Sequence, residues 1–323
     1  MLHNNLQTTL GVDVDRLEAH RHFYADLVTT SAGAAKNERL KEAFASTPRE
    51  FFVGPGPWKV FAGGNYVETP SDDPAFLYQD VVVALAPERR INNGQPVLHA
   101  INLAALNVKQ GEKVLHVGAG TGYYTAVLAR LTGAMGTVVA YEIEHDLAQN
   151  AIQNLGDFSN VTVQERSGSE APLPGCDAIY VNAGATAPLS VWLDALQLNG
   201  RLLFPLTPAD GPGGMPGMGD MLLVTRSDTN RFDALFVCPS MWVPCMGARD
   251  EETGQKLSVA FKRGDFRNVR SLRRNSEPDN TCWCAGNGWW LSNAGKQLGN
   301  LKRPPKPAPD ALQVSGLATL LGR

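Results

Sequence analysis

Five residues, Gly118-Ala119-Gly120-Thr121-Gly122, carry the densest chemical signal in the chain. They follow the apolar run Lys113-Val114-Leu115-His116-Val117 and precede Tyr124 to Leu131, which has helical character. A strand, a glycine turn and a helix start together make a nucleotide-binding arrangement. Glycine lets the backbone turn tightly and approach a ligand, and the helix N-terminus offers N–H groups. A dinucleotide fold asks for G-x-G-x-x-G, whose last glycine would fall at position 123, where this chain has Tyr123. The observed G-x-G-x-G suits S-adenosylmethionine better than NAD. Further along, Thr137-Val138-Val139-Ala140-Tyr141 reads as a second strand that ends on Glu142. A carboxylate at that tip can accept one O–H on each oxygen, which matches the two hydroxyls of a ribose.

These residues need a scaffold, and the rest of the segment supplies one. Leu147 to Leu155 reads as a helix, Val161-Thr162-Val163 as a third strand, and Asp177-Ala178-Ile179-Tyr180-Val181 as a fourth. A small-residue loop, Asn182 to Thr186, follows. Leu189 to Leu198 is expected to be helical, stopped by Asn199-Gly200, with Arg201-Leu202-Leu203-Phe204 as a fifth strand. Alternating strands and helices imply a parallel sheet covered on both faces, with ligand across the strand C-termini at the topological switch point. Met221 to Val224 and Ala234 to Val237 suggest an antiparallel hairpin at the sheet edge.

Upstream, Asp15 to Val28 and Glu38 to Ala45 read as helices, the second burying Leu40, Ala43 and Phe44. Thr47-Pro48 reads as an N-cap with proline at N1 of a short turn, and Gly54 to Pro57 and Gly63-Gly64 as loops. Phe76 to Leu85 looks strand-like up to Pro87, and Val97 to Leu106 is a helix leading into the nucleotide unit. Downstream, Ala209 to Gly219 reads as a lid-like loop rich in Gly, Pro and Met. The basic stretch Lys256 to Arg274 reads as a solvated face, with an acidic partner as the alternative. Trp283, Trp289 and Trp290 are expected to pack onto the main domain. Lys302 to Pro309 should be extended, and Ala311 to Leu321 a short helix. The expected division is an N-terminal helical, substrate-side extension over 1–85, a cofactor-binding domain over 86–245, and a C-terminal extension over 246–323.

The chain has 323 residues, 43% of them hydrophobic, and a net charge of −3, so nothing general favours nucleic acid. It holds no run of roughly 18 or more apolar residues, so no membrane span is expected. Met1-Leu2-His3-Asn4-Asn5 shows no secretory signal. Five irregularly spaced cysteines (Cys176, Cys238, Cys245, Cys282 and Cys284) suit reduced thiols in a cytoplasm better than a disulfide framework. Cys282-Trp283-Cys284 lacks a second Cys or His pair nearby, so no metal is assigned.

Several motifs, in order, resemble the protein-L-isoaspartate O-methyltransferase family. They are Arg39-Leu40 with Ala43-Phe44, then Pro48-Arg49-Glu50-Phe51-Phe52-Val53, Tyr78-Gln79-Asp80, Lys113 to Ala129, Asp177 to Pro188, and Leu196 to Pro205. The resemblance covers about residues 36 to 245. It implies a Rossmann-like, seven-stranded methyltransferase sheet with N-terminal helical and C-terminal extensions, binding S-adenosyl-L-methionine. The cofactor side of the site is accordingly assigned to His116, Gly118, Ala119, Gly120, Gly122, Glu142, Ser167 and Gly168, and the catalytic side to Asn93, Gly94 and Gln95. Three positions depart from the family pattern. Gly94, within Asn92-Asn93-Gly94-Gln95-Pro96, stands where the family has a serine that the resemblance links to the substrate carboxylate. His116 stands for the usual first-strand acid, and Ser167-Gly168 for the third-strand Asp-Gly.

Methyl transfer from a sulfonium is an in-line displacement, in which the protein positions the nucleophile and excludes water. A carboxylate acceptor is ionised at pH 7 and needs no strong base. A hydroxyl or amine acceptor would need one, and His99 or His116 would then matter. Asn92, Asn93 and Gln95 offer amides that could bind a carboxylate or a peptide backbone. The leading expectation is an S-adenosylmethionine-dependent O-methyltransferase acting on a protein or peptide carboxylate, with weak or absent turnover of a standard isoaspartyl peptide because of Gly94. The alternatives are a small-molecule or modified-peptide acceptor, or a protein that binds the cofactor without turnover.

Overall fold

The computed structural model describes residues 14–209 and 217–295. The expected segments Lys302 to Pro309 and Ala311 to Leu321, and the middle of the expected lid, lie outside the described residues. The described chain forms two compact units, residues 14–101 and 102–295.

The first unit opens with helices α1 (Val14–Ser31) and α2 (Glu38–Ala45). Asn37 starts α2 by accepting the Leu40 N–H at 3.1 Å, which satisfies one of the turn's open donors. The face carrying Leu40, Ala43 and Phe44 is buried, and Tyr24 of α1 meets Phe44 and Tyr78 edge-on. The short 3-10 turn Arg49–Phe52 starts one residue later than expected, with Pro48 rather than Thr47 at the N-cap position and no side-chain cap, while the Thr47 hydroxyl donates back to the Ala43 carbonyl. A four-stranded sheet follows, with β1 (Lys59–Ala62), β2 (Asn65–Glu68), β3 (Val82–Ala86) and β4 (Ile91–Asn92) in the order β2-β1-β3-β4. Gly63-Gly64 is the turn of the β1–β2 hairpin, at φ 61° and 90°. Only the end of the strand-like run Phe76 to Leu85 is strand. Its start is a 3-10 turn, Pro74–Leu77, capped by Asp73.

Helix α3 (Pro96–Leu106) carries the chain into the second unit. There a ten-stranded sheet is laid out from β5 (Lys113–Val117), β6 (Thr137–Glu142), β7 (Val161–Glu165), β8 (Cys176–Val181), β9 (Leu196–Leu206), β10 (Gly219–Asp228), β11 (Arg231–Ser240), β12 (Ser271–Arg274), β13 (Cys282–Gly286) and β14 (Trp289–Ser292). The spatial order is β13-β14-β12-β11-β10-β9-β8-β5-β6-β7. Strands β7-β6-β5-β8-β9 run parallel, and the others add on antiparallel. The central strands are nearly continuous apolar runs because helices such as α4 (Tyr123–Thr132) and α5 (His145–Asn154) cover the sheet. The chain moves from β5 outward to β6 and β7, then back across β5 to β8 and β9. The switch point therefore lies between β5 and β8.

Three expectations are corrected here. The helix before β9 is only α6 (Ser190–Ala195), and Leu196 already belongs to the strand, which takes Asn199 at φ 63° within it. The β10–β11 hairpin exists but is interior, because β12, β14 and β13 extend the sheet beyond it. The basic stretch is not simply a solvated face. It spans most of α7 (Glu251–Arg263) and β12, and its arginines tie separate elements together. Arg267 donates to the Phe236 and Val237 carbonyls and to Asp220 at 2.9 Å, Arg263 to the Trp283 carbonyl, and Arg274 to Asp194. Trp283, Trp289 and Trp290 are buried as expected, Trp283 edge-on to Phe236 and Phe261.

Candidate active site

After β5 the backbone passes through Gly118, Gly120 and Gly122 at φ 77°, 56° and 99°. This is left-handed space, where glycine has no Cβ penalty. The Gly118 and Ala119 N–H groups both bond to the Tyr141 carbonyl at the end of β6, at 2.9 and 3.1 Å. The Gly120 N–H donates to Glu142 Oε2 at 2.7 Å. Glu142 Oε1 accepts from the Ile143 and Glu144 N–H groups at 2.9 and 3.0 Å. The carboxylate is thus buried against the glycine turn. Burial pulls its pKa up, opposed by those three N–H groups. Oε2 carries one of them and keeps acceptor capacity. A Cβ on Gly122 would sit 2.7 Å from Leu155 Cδ1, so this glycine also serves helix packing.

The ends of the neighbouring strands converge on the same place. The Arg166 N–H, just past β7, bonds to the Glu142 carbonyl, and the Asn182 N–H, just past β8, to the Val117 carbonyl. Gly168 lies so close to β5 that a Cβ would fall 2.3 Å from Val117 Cγ1, and its carbonyl accepts from Trp192 Nε1 at 2.7 Å. The Ser167 hydroxyl is hydrogen-bonded to the Ser169 hydroxyl at 2.7 Å. Glycines 118, 120 and 122, Ala119, Glu142, Ser167 and Gly168 therefore belong to one cluster of loops at the C-terminal ends of β5, β6 and β7.

His116 is placed differently from the expectation of a cofactor contact. It is fully buried in β5, stacked on Tyr180, and both ring nitrogens have protein partners. Nδ1 lies 2.8 Å from Thr125 Oγ1 and Nε2 lies 2.7 Å from Asn182 Nδ2. The ring braces the loops rather than reaching a ligand. Burial pushes its pKa down to about 3, so it is neutral at ordinary pH. Asn182 was visible in the sequence only as part of a small-residue loop.

In the first unit, the loop Asn92 to Pro96 is held by its own amides. Asn92 Oδ1 accepts the Gly94 N–H at 2.9 Å, Asn93 Oδ1 accepts the Val83 N–H at 2.9 Å, and Gln95 Nε2 donates to Asp80 at 2.8 Å. Asp80 also accepts the Val97 N–H, fixing the start of α3. Arg49, fully buried, holds the Asp80 segment by donating to the Leu77, Gln79 and Val81 carbonyls. Glu50 accepts from Arg21 and from the Tyr78 hydroxyl. The expectation that the amides of Asn93 and Gln95 are open to an acceptor is corrected, since they are fasteners. Within this loop, Asn93 Nδ2 is buried without a hydrogen-bond partner among the described residues. Gly94 has φ 74°, and a Cβ there would lie 2.1 Å from His99 Nε2. His99 itself is buried.

Two buried groups set opposing pH dependences. Burial pushes the Asp220 carboxyl up to about 7, outweighing Arg267 beside it. Between about pH 4 and 7 the folded chain then holds a proton that the unfolded chain has released, so stability falls as pH rises there. His116 works the other way. Between about pH 3 and 6.5 the unfolded chain holds the proton, so stability rises with pH. Asp220→Asn is expected to make urea stability between pH 4 and 6.5 rise more steeply than in the wild type, by up to about 1.4 kcal/mol per pH unit. An unchanged slope would show that Asp220 does not titrate in that window.

The parallel sheet, the switch point, and a glycine turn closed on a buried acid define an α/β methyltransferase that uses S-adenosylmethionine. A sequence model of the protein-L-isoaspartate(D-aspartate) O-methyltransferase family matches residues 26–212. A protein-L-isoaspartate O-methyltransferase of Brucella anthropi is 31% identical over 214 residues, covering 65% of this chain and 86% of its own. A solved protein-L-isoaspartate O-methyltransferase superposes with a TM-score of 0.57 at 19% identity, over 85% of this chain and 88% of its own. A Plasmodium falciparum protein solved with S-adenosyl-L-homocysteine gives 0.55 at 17% identity, over 70% and 98%. The chain belongs to the protein-L-isoaspartate O-methyltransferase family. The ten-stranded sheet contains the expected seven-stranded arrangement, β5 to β11, and continues it through β12 to β14.

Proposed function

We propose that this chain methylates a carboxylate of a protein or peptide, with an isoaspartyl residue as the first acceptor to test. Family membership supports the acceptor class. The observation that carries the reading is the buried Glu142 carboxylate held under the glycine turn by the Gly120 N–H. In this reading Gly118, Ala119, Gly120 and Gly122 give backbone access to the nucleoside, and Glu142 Oε2 accepts from a ribose hydroxyl. Ser167 and Gly168 border the base side. S-adenosylmethionine, when bound, supplies a methyl group already activated on sulfonium. A carboxylate acceptor arrives ionised, so the chain needs no general base. The neutral, fully engaged His116 is not one. The acceptor side is assigned to the loop around Gly94. A cytoplasmic setting accords with five free thiols. No helix among the described residues is long and apolar enough to cross a membrane.

The test is methyl incorporation from S-adenosylmethionine into an isoaspartyl peptide and its ordinary aspartyl counterpart. Incorporation into the isoaspartyl peptide alone is expected, at well below about 1 per second. Tight cofactor binding with no incorporation into either peptide would overturn the carboxylate reading.

Gly94→Ser, the change that would restore the family's hydroxyl, is expected to fail. Position 94 has φ 74°, and the new Cβ would meet the His99 ring. The variant should lose turnover relative to wild type while its S-adenosylhomocysteine affinity stays within about twofold. A gain in isoaspartyl turnover would show that His99 yields the space.

A further inference from the structure

We infer that Asn182 orients the amino-acid end of the cofactor, and that His116 is the positioning residue that sets its amide; this rests on the cofactor reading above. Asn182 follows β8 directly and lies on the far side of β5 from Glu142. It borders the glycine turn, since a Cβ built on Gly118 would be 3.3 Å from the Asn182 carbonyl oxygen and 3.6 Å from Asn182 Cβ. Its Nδ2 is held by His116 Nε2 at 2.7 Å. Its Oδ1 is buried and has no hydrogen-bond partner among the described residues. A buried acceptor without a partner costs free energy unless a ligand donor meets it.

Chemistry selects the donor. S-adenosylmethionine carries ribose hydroxyls, an adenine amino group and an α-ammonium. The ribose is assigned to Glu142, at the tip of β6, and the base to the loop after β7 beyond it. That leaves the ammonium for an acceptor at the tip of β8. An amide oxygen paired with an ammonium makes a charge-assisted bond. The His116 tautomer decides which end of the amide is presented. With the proton on Nδ1, shared with Thr125, Nε2 accepts from Asn182 Nδ2 and leaves Oδ1 for the ligand. The arrangement is an uncharged relay at a position where the family pattern has an acid.

The experiment compares two ligands by isothermal titration on the full chain. S-adenosylhomocysteine has the amino-acid end and 5′-methylthioadenosine lacks it. Asn182→Ala is expected to weaken S-adenosylhomocysteine at least about tenfold and methylthioadenosine less than about twofold. His116→Phe, which keeps the ring stacked on Tyr180, should weaken S-adenosylhomocysteine similarly and add nothing on top of Asn182→Ala. Equal losses for both ligands, or no loss, would overturn the assignment. Should either variant fail to fold, nitrogen NMR of the wild-type His116 ring decides. A proton on Nδ1 supports the relay, and a proton on Nε2 overturns it. Failure of wild-type protein to bind S-adenosylhomocysteine would instead remove the cofactor reading itself.

Discussion

Gly120→Val is expected to reduce S-adenosylhomocysteine affinity by more than about 100-fold while the far-UV circular dichroism stays native. Two effects of the substitution add. Position 120 sits at φ 56°, where a β-branched side chain is strained by more than the roughly 1–2 kcal/mol that a left-handed residue ordinarily costs. Relief of that strain moves the Gly120 N–H, which is the donor to Glu142 Oε2 at 2.7 Å. The carboxylate then loses one of the three N–H groups that offset its burial. The branched side chain would also project where the glycines leave the backbone bare. Gly120→Ala, which adds one carbon without branching, should fall between wild type and valine. Titration calorimetry reads both. Wild-type affinity in the valine variant would mean that the glycines serve only the turn and that cofactor recognition lies elsewhere.

The part of this site made by strand order was legible in the sequence. Lys113–Val117 and Thr137–Glu142 match the observed strands because a strand buried on both faces is an uninterrupted apolar run. Glu142 could be placed because it ends such a run. What the sequence hid is mostly hydrogen bonding. Asn93 and Gln95 are polar residues in a loop, and nothing in their type shows that their amides fasten β3 and Asp80 rather than face a substrate. Arg267 and Arg274 belong to a basic run, but their partners are carbonyls and carboxylates brought near by strands and by helix α6, far off in sequence. Strand β2 is exposed along its whole length, so it has no alternation to read. Leu196 to Leu198 look helical because apolar residues continue the spacing of α6. Leu196 pairs with Cys176 of β8, and from Arg201 onward the strand pairs with both β8 and β10, a tertiary effect stronger than local preference. His99 shows the limit most plainly. The absence of a side chain at residue 94 is visible in the sequence, but the imidazole that fills the space is not.

Glu142→Ala is expected to weaken S-adenosylhomocysteine by about 10- to 150-fold, which is the loss of a charge-assisted contact of roughly 1.5–3 kcal/mol. The structure adds a second consequence. The same carboxylate accepts from the Gly120, Ile143 and Glu144 N–H groups, so the alanine variant also strands three backbone donors at the base of the glycine turn. Loosening of the turn and loss of the ribose contact therefore have to be separated. Glu142→Gln does this in part, because its amide oxygen in the Oε1 place still accepts from the Ile143 and Glu144 N–H groups, while its NH2 group puts a donor in the Oε2 place, facing the Gly120 N–H and the ribose. If the ribose contact dominates, glutamine should lose affinity nearly as far as alanine while its unfolding midpoint in urea stays close to wild type. If anchoring through the Ile143 and Glu144 N–H groups dominates, glutamine should bind nearly normally and only alanine should fail. A cofactor analogue lacking one ribose hydroxyl sharpens the result, because the penalty for that deletion should shrink in Glu142→Gln relative to wild type. An identical deletion penalty in the two proteins would show that Glu142 does not touch the ribose and that its buried carboxylate serves the turn alone.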